Sequence, residues 1–479
     1  MKKDTFAVGC PFSLVIFCEY KRTSVTRFLD SIRQTLARLR YRFFERRWAK
    51  TLRLGFRPPT SHSVTDRNIW YLYVEVFWAA ILSAAAAFNA TFAVRLGATN
   101  QMIGWLSSIP ALLATVLLVP FARFLERRGH RAPWIWGGLL VARIGYGTIA
   151  LLPWLVSETH QAGALVALLI AISIPSTLFS TGWSPLLADV VPERERARVL
   201  ANRSIIAGVA IAGLTFVAGK WLEGASTLRW AQFPRNFQLV YAVGFVGAML
   251  SMVFLLKIKV PPSKIVERSH RPHGERRSLK AVLAELHGFA AANRGFVRLI
   301  VNTFVFSFGE WMIGPLYTIF FVRTLQASDS WIGLNSTLAN IGVIVGYSLW
   351  RRWVEKLGYH RTLLVTIPLS ASYAFLVGLF PNLTAILAFG VFINLVNPGL
   401  NLSHFNIMLE LCPEERRASY IAVYSALMNA GAFVAPMLGV ALTEFIDIRW
   451  MLIIGAGIRL IGAALFHLYK LQLPHPQEA

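Results

Sequence analysis

The chain has 479 residues, of which 55% are hydrophobic and 15% are charged, and its net charge is +24. A soluble protein carries about 25% charged residues, and the apolar residues of this chain form long runs, so the composition excludes an ordinary soluble protein. Because about 20 apolar residues cross the hydrocarbon core of a bilayer, these runs predict an integral membrane protein.

Residues 1–67 form a basic extension before the first apolar run. Apolar residues recur there at alternating steps of three and four: Leu29, Ile32, Leu36, Leu39 and Phe43. This spacing predicts a basic helix with one apolar stripe, which would lie on anionic lipid. The alternatives are a poorly ordered arm whose charge only reinforces membrane orientation, or a start codon assigned too early.

Twelve candidate spans follow, six in each half of the chain. We place them near 68–94, 101–122, 134–156, 161–188, 200–221, 237–257, 296–322, 330–350, 361–380, 383–409, 419–443 and 449–471. The predicted domains are therefore one bundle at 68–257 and another at 296–471. A cytoplasmic linker at 258–295 joins them, and a cytoplasmic tail occupies 472–479.

Basic residues concentrate in the connections after even-numbered spans. They are Arg123, Arg127, Arg128, Arg131, Arg194, Arg196, Arg198, Arg351, Arg352, Lys356, Arg361, Arg416 and Arg417. This distribution is the positive-inside pattern that sets orientation. We therefore expect a multi-pass protein of the cell membrane (inner or plasma membrane) with both termini in the cytoplasm. The pattern accounts for the charge, so no nucleic-acid partner is predicted.

The two halves are copies of one unit. Two motifs recur at one and the same separation along the chain: Glu126-Arg127-x-Gly129 returns as Glu355-Lys356-x-Gly358, and L-G-A-T-N-Q-M-I-G from Leu96 returns as L-Q-A-S-D-S-W-I-G from Leu325. A further pair, Asp189-x-x-Pro192-Glu193 and Glu410-x-x-Pro413-Glu414, recurs at a slightly shorter separation. Gly129 and Gly358 predict tight reversals, because glycine tolerates a positive φ.

Two sets of six spans joined by a basic linker, with a turn motif after the second and eighth spans, resemble the major facilitator superfamily over about residues 68–471. The family's turn motif is Gly-x-x-x-Asp-Arg-x-Gly-Arg-Arg. Residues 122–131 fit it with Ala122, Glu126 and His130 as substitutions, and the second copy departs further. The resemblance implies an all-α integral membrane protein, a monomer, with twelve transmembrane helices in two pseudo-symmetric six-helix bundles.

The resemblance also implies a charge latch at the cytoplasmic ends of the helices. In the family, the acid and the closing base of the motif cluster with an acid that ends the fourth span. The corresponding residues of motif and latch are Glu126, Arg127, Gly129, Arg131, Asp189, Glu355, Lys356, Gly358, Arg361 and Glu410. Such a latch would hold one state closed and release it in the other. The alternative is that these charges only mark the membrane interface.

Four charged residues fall well inside predicted spans: Glu75, Arg143, Glu310 and Arg459. A charge in a membrane is costly, so each is a functional candidate. Neither acid recurs at the equivalent position of the other half, so the shared scaffold requires neither. The resemblance implies that spans one and seven line the cavity, which favours Glu310 and then Glu75. A carboxylic acid shielded from water holds a proton more readily, so either could couple protons to transport. The alternative is a structural ion pair.

The tenth span is unusually polar, with Asn397-Pro398-Gly399, Asn401 and His404. Proline and glycine predict a loosened helix with freed carbonyls, and broken helices near the middle of the membrane commonly mark binding sites in transporters. The resemblance implies that this span and the fourth, which contains the repeat counterpart Trp183, line the cavity. We therefore predict a substrate site that includes these residues. The alternative is that the amides only join helices.

These features predict a secondary active transporter of a small organic solute, most simply driven by protons. The rival is a transporter-like membrane sensor or structural partner that acts through its basic arm. No enzyme, metal or cofactor is predicted. Cys10, Cys18 and Cys412 lack metal-ligand spacing, and the chain has no G-x-S-x-G motif.

Overall fold

The structure is a computed structural model that describes residues 63–128, 130–260, 293–412 and 417–468. Within these ranges the chain is helical and contains no strand. The helices are α1 Val64–Ala86, α2 Asn89–Arg95, α3 Asn100–Glu126, α4 Ala132–Leu155, α5 Glu158–Val190, α6 Glu193–Gly224, α7 Arg235–Leu256, α8 Arg294–Ile319, α9 Asp329–Leu379, α10 Leu383–Leu411, α11 Arg417–Leu442 and α12 Ile448–Leu468.

Eleven helices among the described residues are long and apolar enough to cross a membrane, with α1 and α2 counted as one. The longest, α9, has 51 residues and covers two predicted spans. Its helical geometry breaks at Gly358, where φ is +75° and ψ is +163°, as the predicted reversal requires. Counting α9 as two spans gives twelve, and the predicted all-α fold is confirmed.

Some predictions concern residues outside the described ranges. They are the basic arm up to residue 62, Gly129 of the first turn motif, residues 261–292 of the linker, the second Pro-Glu turn at 413–416 and the tail at 472–479. These predictions are untested.

The repeat is visible in the turns that precede α3 and α9. Gly97 has φ +89°, and its repeat counterpart Gln326 has φ +51°. Shortly after them, Thr99 and Ser328 cap the following helices, since each side chain accepts a hydrogen bond from a backbone N–H at 3.2 Å. Capping by a hydroxyl satisfies an N–H that has no partner within the helix. The same sequence positions therefore build the same turn in both halves.

The helix α10 is not broken at Pro398, because it continues through this residue. The indole Nε1 of Trp350 in α9 donates to the carbonyl of Leu395 at 2.8 Å, and the same indole packs against Gly399. A neighbouring helix thus satisfies a carbonyl beside the proline, as irregular backbone at membrane depth requires.

The first half, α1–α7, meets the second half, α8–α12, along two helix pairs: α3 with α11 and α6 with α9. Glycines allow the close approach. A Cβ atom on Gly219 of α6 would lie 2.9 Å from the carbonyl oxygen of Asp329, and one on Gly333 of α9 would lie 2.9 Å from the Cα atom of Gly219. This contact has no room for a larger residue.

Gly219→Val is expected to push α6 and α9 apart and to favour a conformation in which these two helices are separated near Gly219 and Gly333. A cysteine placed at Thr337, which is 9% exposed in α9, should then react several-fold faster with a membrane-impermeant maleimide. The matched control is Gly213→Val in the same helix, where a Cβ atom would have no neighbour within 4 Å. Equal labelling rates in both variants would contradict the prediction.

Candidate transport site

One side of the protein is closed by contacts between the two halves, which we call the outer clasp. Arg95 donates to the carboxylate of Asp329 at 3.1 Å and to the carbonyl of Ala327 at 3.0 Å. In the opposite direction, Arg323 donates to the side-chain amide oxygen of Asn100 and to the carbonyl of Ala98, which are the repeat counterparts of Asp329 and Ala327. The outer clasp therefore repeats one interaction across the two halves.

Polar contacts between α3 and α11 extend the outer clasp. The side-chain amide of Gln101 donates to Glu444 at 3.0 Å, and that of Asn100 donates to Thr443 at 3.4 Å. Both contacts lie where α3 begins and α11 ends. The clasp thus lies on the side of the connections that carry few basic residues.

The predicted latch lies on the opposite side of the protein from the outer clasp. Glu126 and Asp189 are exposed, Arg131 is half-buried, and among the described residues no ion pair joins the three. Glu355 instead pairs with Arg351, one turn earlier in its own helix, at 3.7 Å. The other described members are exposed or half-buried: Arg127, Lys356, Gly358, Arg361 and Glu410. In this conformation the predicted latch is apart, and its role is still a prediction.

Glu75 lies at the centre of α1 in a buried cluster of the first half. Its side chain is 3% exposed, and it pairs with Arg203 at 2.6 Å and with Arg143 at 3.6 Å. Ser251 donates to the same carboxylate at 2.9 Å and accepts from Arg143 at 2.8 Å. Arg203 also stacks over the ring of Trp183, 4.3 Å from its centroid. The cluster holds two guanidinium groups against one carboxylate.

Glu310 belongs to a second cluster in the second half. Its carboxylate pairs with Arg459 of α12, whose Nη2 donates to Ser370 at 2.8 Å. Ser370 in turn donates to the amide oxygen of Asn397 at 2.9 Å. The chain of contacts joins α8, α12, α9 and α10. Side-chain exposure differs within the pair: 44% for Glu310 and 6% for Arg459.

Close helix packing permits this pairing. A Cβ atom on Gly309 of α8 would lie 2.6 Å from the carbonyl oxygen of Gly455, and one on Gly462 of α12 would lie 2.5 Å from the backbone nitrogen of Phe306. Small residues at these positions bring α8 against α12. Glu310 and Arg459 therefore meet directly across the contact.

A cavity of about 480 Å³ adjoins Glu310, and we call it the polar chamber. Its polar wall includes Glu310, Tyr317, Asn335, Asn397, Asn401 and Arg459. The buried hydroxyl of Tyr317 has no hydrogen-bond partner among the described residues. The chamber therefore offers a carboxylate, amides and a hydroxyl to a ligand.

A second cavity of about 550 Å³ lies towards the beginning of α8, and we call it the apolar chamber. Its wall includes Phe306, Leu363, Ile367, Phe405, Met408 and Phe466. His404 lines it as well and hydrogen-bonds Thr303 at 2.8 Å. Asn401 lies in the walls of both chambers.

The structure thus brings four of the six predicted site residues together: Glu310, Asn397, Asn401 and His404. Glu75 and Trp183 lie instead in the cluster of the first half. Arg203 was missed by sequence reasoning, although it lies inside the predicted span 200–221 and the rule applied to Arg143 could have found it. Ser251 and Ser370 carried no comparable signal, because serine is common in membrane helices.

The comparisons with known proteins agree with this architecture. The family model described as Major Facilitator Superfamily matches residues 64–296 and 299–479. A comparison with curated proteins gives no match. Among solved structures, a bacterial homologue of the human lysosomal transporter Spinster is 15% identical, with a TM-score of 0.60 over 85% of this chain and 97% of that one.

Two further structures are similar in fold. The nucleoside transporter NupG is 11% identical, with a TM-score of 0.62 over 84% of this chain and 100% of that one. The xylose transporter XylE from E. coli is 13% identical, with a TM-score of 0.59 over 89% of this chain and 98% of that one. The family model covers nearly all of the described residues, so this chain belongs to the Major Facilitator Superfamily.

Proposed function

We propose that this protein is a secondary active transporter that moves a small organic solute by alternating access and couples its movement to protons. The observation that carries the proposal is the Glu310–Arg459 pair, which lies well inside two membrane-spanning helices beside the polar chamber. An ionisable group at that depth is costly and is retained mainly where it serves transport. Glu310 is the proton carrier because its side chain is the exposed member of the pair.

Protonation of Glu310 would change the contacts of Arg459. A neutral carboxylic acid no longer neutralises the guanidinium, which is then left with Ser370 as its polar side-chain contact. A buried charge without its partner is unfavourable, so the protonated state favours a rearrangement of α12 against α8 and α9. Through Ser370, the same network reaches Asn397 in the wall of the polar chamber. Proton binding and solute binding therefore act on one set of contacts.

The outer clasp and the latch supply the two closed states. The clasp is formed here while the predicted latch is apart, and the positive-inside orientation places the latch on the cytoplasmic side, so the polar chamber faces the cytoplasm. The Spinster homologue and XylE structures are described as inward-facing and inward open, respectively. In the opposite state we expect the clasp to separate and the latch, with Glu126, Arg131 and Asp189, to form.

We infer a multi-pass protein of the cell membrane, a monomer, with both termini in the cytoplasm. Its basic arm lies on anionic lipid. The small-molecule substrate and protons are the partners that transport requires.

A disulfide across the clasp tests the proposal. Gln101→Cys and Glu444→Cys would be introduced on α3 and just after α11, once Cys10, Cys18 and Cys412 have been replaced. Reconstituted protein would be assayed for proton-linked movement of xylose, uridine, dialanine and 4-phenylbutylamine. We expect oxidation to abolish transport by fixing the clasp and reduction to restore it. Equal transport before and after complete oxidation would contradict alternating access. A solute that binds the reduced protein but never crosses would support the sensor alternative.

A further inference from the structure

We propose that the transported solute is an amphipathic amine, with its ammonium group in the polar chamber and its apolar body in the apolar chamber. This inference rests on the proposed function and specifies its substrate. It depends on three features of the second half: the adjacency of the two chambers, the chemistry of the polar wall and the chemistry of the apolar wall.

The two chambers are adjacent. They share Phe306, Ser307, Leu400 and Asn401 in their walls. Their volumes are about 480 and 550 Å³, and sites for drug-sized ligands span about 300–1,000 Å³. A single compact polar solute would occupy the polar chamber and leave the apolar chamber filled with water. An elongated solute can fill both.

The polar chamber favours a cationic head group. Glu310 and Arg459 both line the cavity, but the side chain of Glu310 is 44% exposed and that of Arg459 is 6% exposed, so the carboxylate is the charge that a ligand meets. Aromatic rings line the same chamber: the Tyr317 ring lies 5.5 Å from that of Tyr373 and 6.0 Å from that of Phe321. Ring faces and a carboxylate both attract an ammonium group.

The apolar chamber favours a hydrocarbon or aromatic body. Most of the wall surface is apolar, and the imidazole of His404 already has Thr303 as a partner. Phe405 is 54% exposed and Tyr347 is 43% exposed at the edge of this chamber. Covering such surfaces with an apolar ligand removes them from water, which is favourable in proportion to the area covered. A sugar or a small zwitterion would leave them wet.

Four probes separate the two halves of the ligand. They are 4-phenylbutylamine (head and body), ethanolamine (a small amine without the aromatic body), 4-phenylbutan-1-ol (neutral head) and 4-phenylbutyrate (acidic head). Binding to protein in nanodiscs would be measured by tryptophan fluorescence, with empty nanodiscs as the blank. We expect 4-phenylbutylamine to bind at least about tenfold more tightly than each of the others.

Two variants then assign the groups. Glu310→Gln should weaken binding of the amine about tenfold or more and leave the alcohol unchanged. Phe405→Ala should weaken both compounds about tenfold, because both lose the same apolar contact. The matched controls are Glu158→Gln, an exposed acid at the start of α5, and Phe392→Ala, which is 44% exposed in α10 and lies outside both chambers.

The comparison within the wild-type protein needs no variant to fold. Equal affinity for the amine and the alcohol would overturn the cationic head, and equal affinity for the amine and ethanolamine would overturn the apolar body. Absence of binding by all four compounds would overturn the inference as a whole. The disulfide experiment, which includes solutes of three other classes, judges the transport function separately.

Discussion

Glu75→Gln is expected to destabilise the protein by about 3–5 kcal/mol, the range for removing one partner of a buried ion pair. The carboxylate is 3% exposed and is the only acid in contact with Arg143 and Arg203 among the described residues. Without it, two guanidinium groups are left close together in the interior of the first half. The loss should appear as a lower thermal unfolding temperature of the purified protein in detergent.

The double variant Glu75→Gln/Arg143→Gln should recover part of this loss, because it removes one of the uncompensated charges. Glu158→Gln, which neutralises an exposed acid, should change the unfolding temperature little. If Glu75→Gln and Glu158→Gln unfold at the same temperature, then the buried cluster does not stabilise the first half.

Glu310→Gln is expected to abolish proton-driven accumulation of the solute while preserving solute exchange. Glutamine preserves the shape and hydrogen-bonding capacity of the side chain but cannot carry the proton. A pH difference of about one unit supplies enough free energy to concentrate a solute about tenfold when the movement of one proton is coupled to that of each solute. In proteoliposomes supplied with a saturating concentration of solute, the variant should still exchange labelled for unlabelled solute, but its response to the pH difference should vanish.

The solute for this assay is whichever compound of the panel the wild-type protein moves. Glu158→Gln serves as the control and should accumulate solute as the wild type does. Accumulation by Glu310→Gln at the wild-type level would remove Glu310 from the coupling step. Attention would then pass to His404 and to the cluster around Glu75.

Much of the fold could be predicted from the sequence because it follows from local rules. Apolar run length predicts membrane spans, and the matched turns at Leu96 and Leu325 predict the repeat. In the structure both turns have a residue with positive φ at the same position, Gly97 in the first and Gln326 in the second. In both turns a hydroxyl side chain then caps the following helix. Gly358 likewise adopts the positive φ that its place in the turn motif predicts.

The partners of the buried charges could not be predicted in this way. Each cluster contains an acid and an arginine that donates to a serine, but the helices exchange roles: this arginine is on α4 in the first half and on α12 in the second. Repeat register therefore hides the correspondence. Which residues meet depends on how each helix is rotated, and contacts such as that of Gly309 with Gly455 decide this.

The shape and lining of the cavities could likewise not be predicted from the sequence. Asn394 and Asn397 lie within one turn of α10 and both line the polar chamber, yet Asn394 donates to the carbonyl of Gly390 in its own helix, while Asn397 accepts from Ser370 of α9. Trp183 and His404 are counterparts in the repeat, but only His404 lines one of the two chambers. Identical spacing leaves open which neighbours each side chain will find.

Alternating access is tested most directly by a pair of distances measured by pulsed electron spin resonance in one cysteine-free background. One pair of spin labels would replace Gln101 and Glu444 at the outer clasp. The other would replace the exposed residues Arg123 and Arg352, near the predicted latch on the opposite side of the protein. We predict two populations in each pair, with the clasp distance lengthening as the other shortens when pH or solute is changed. A single short clasp distance under every condition would contradict alternating access.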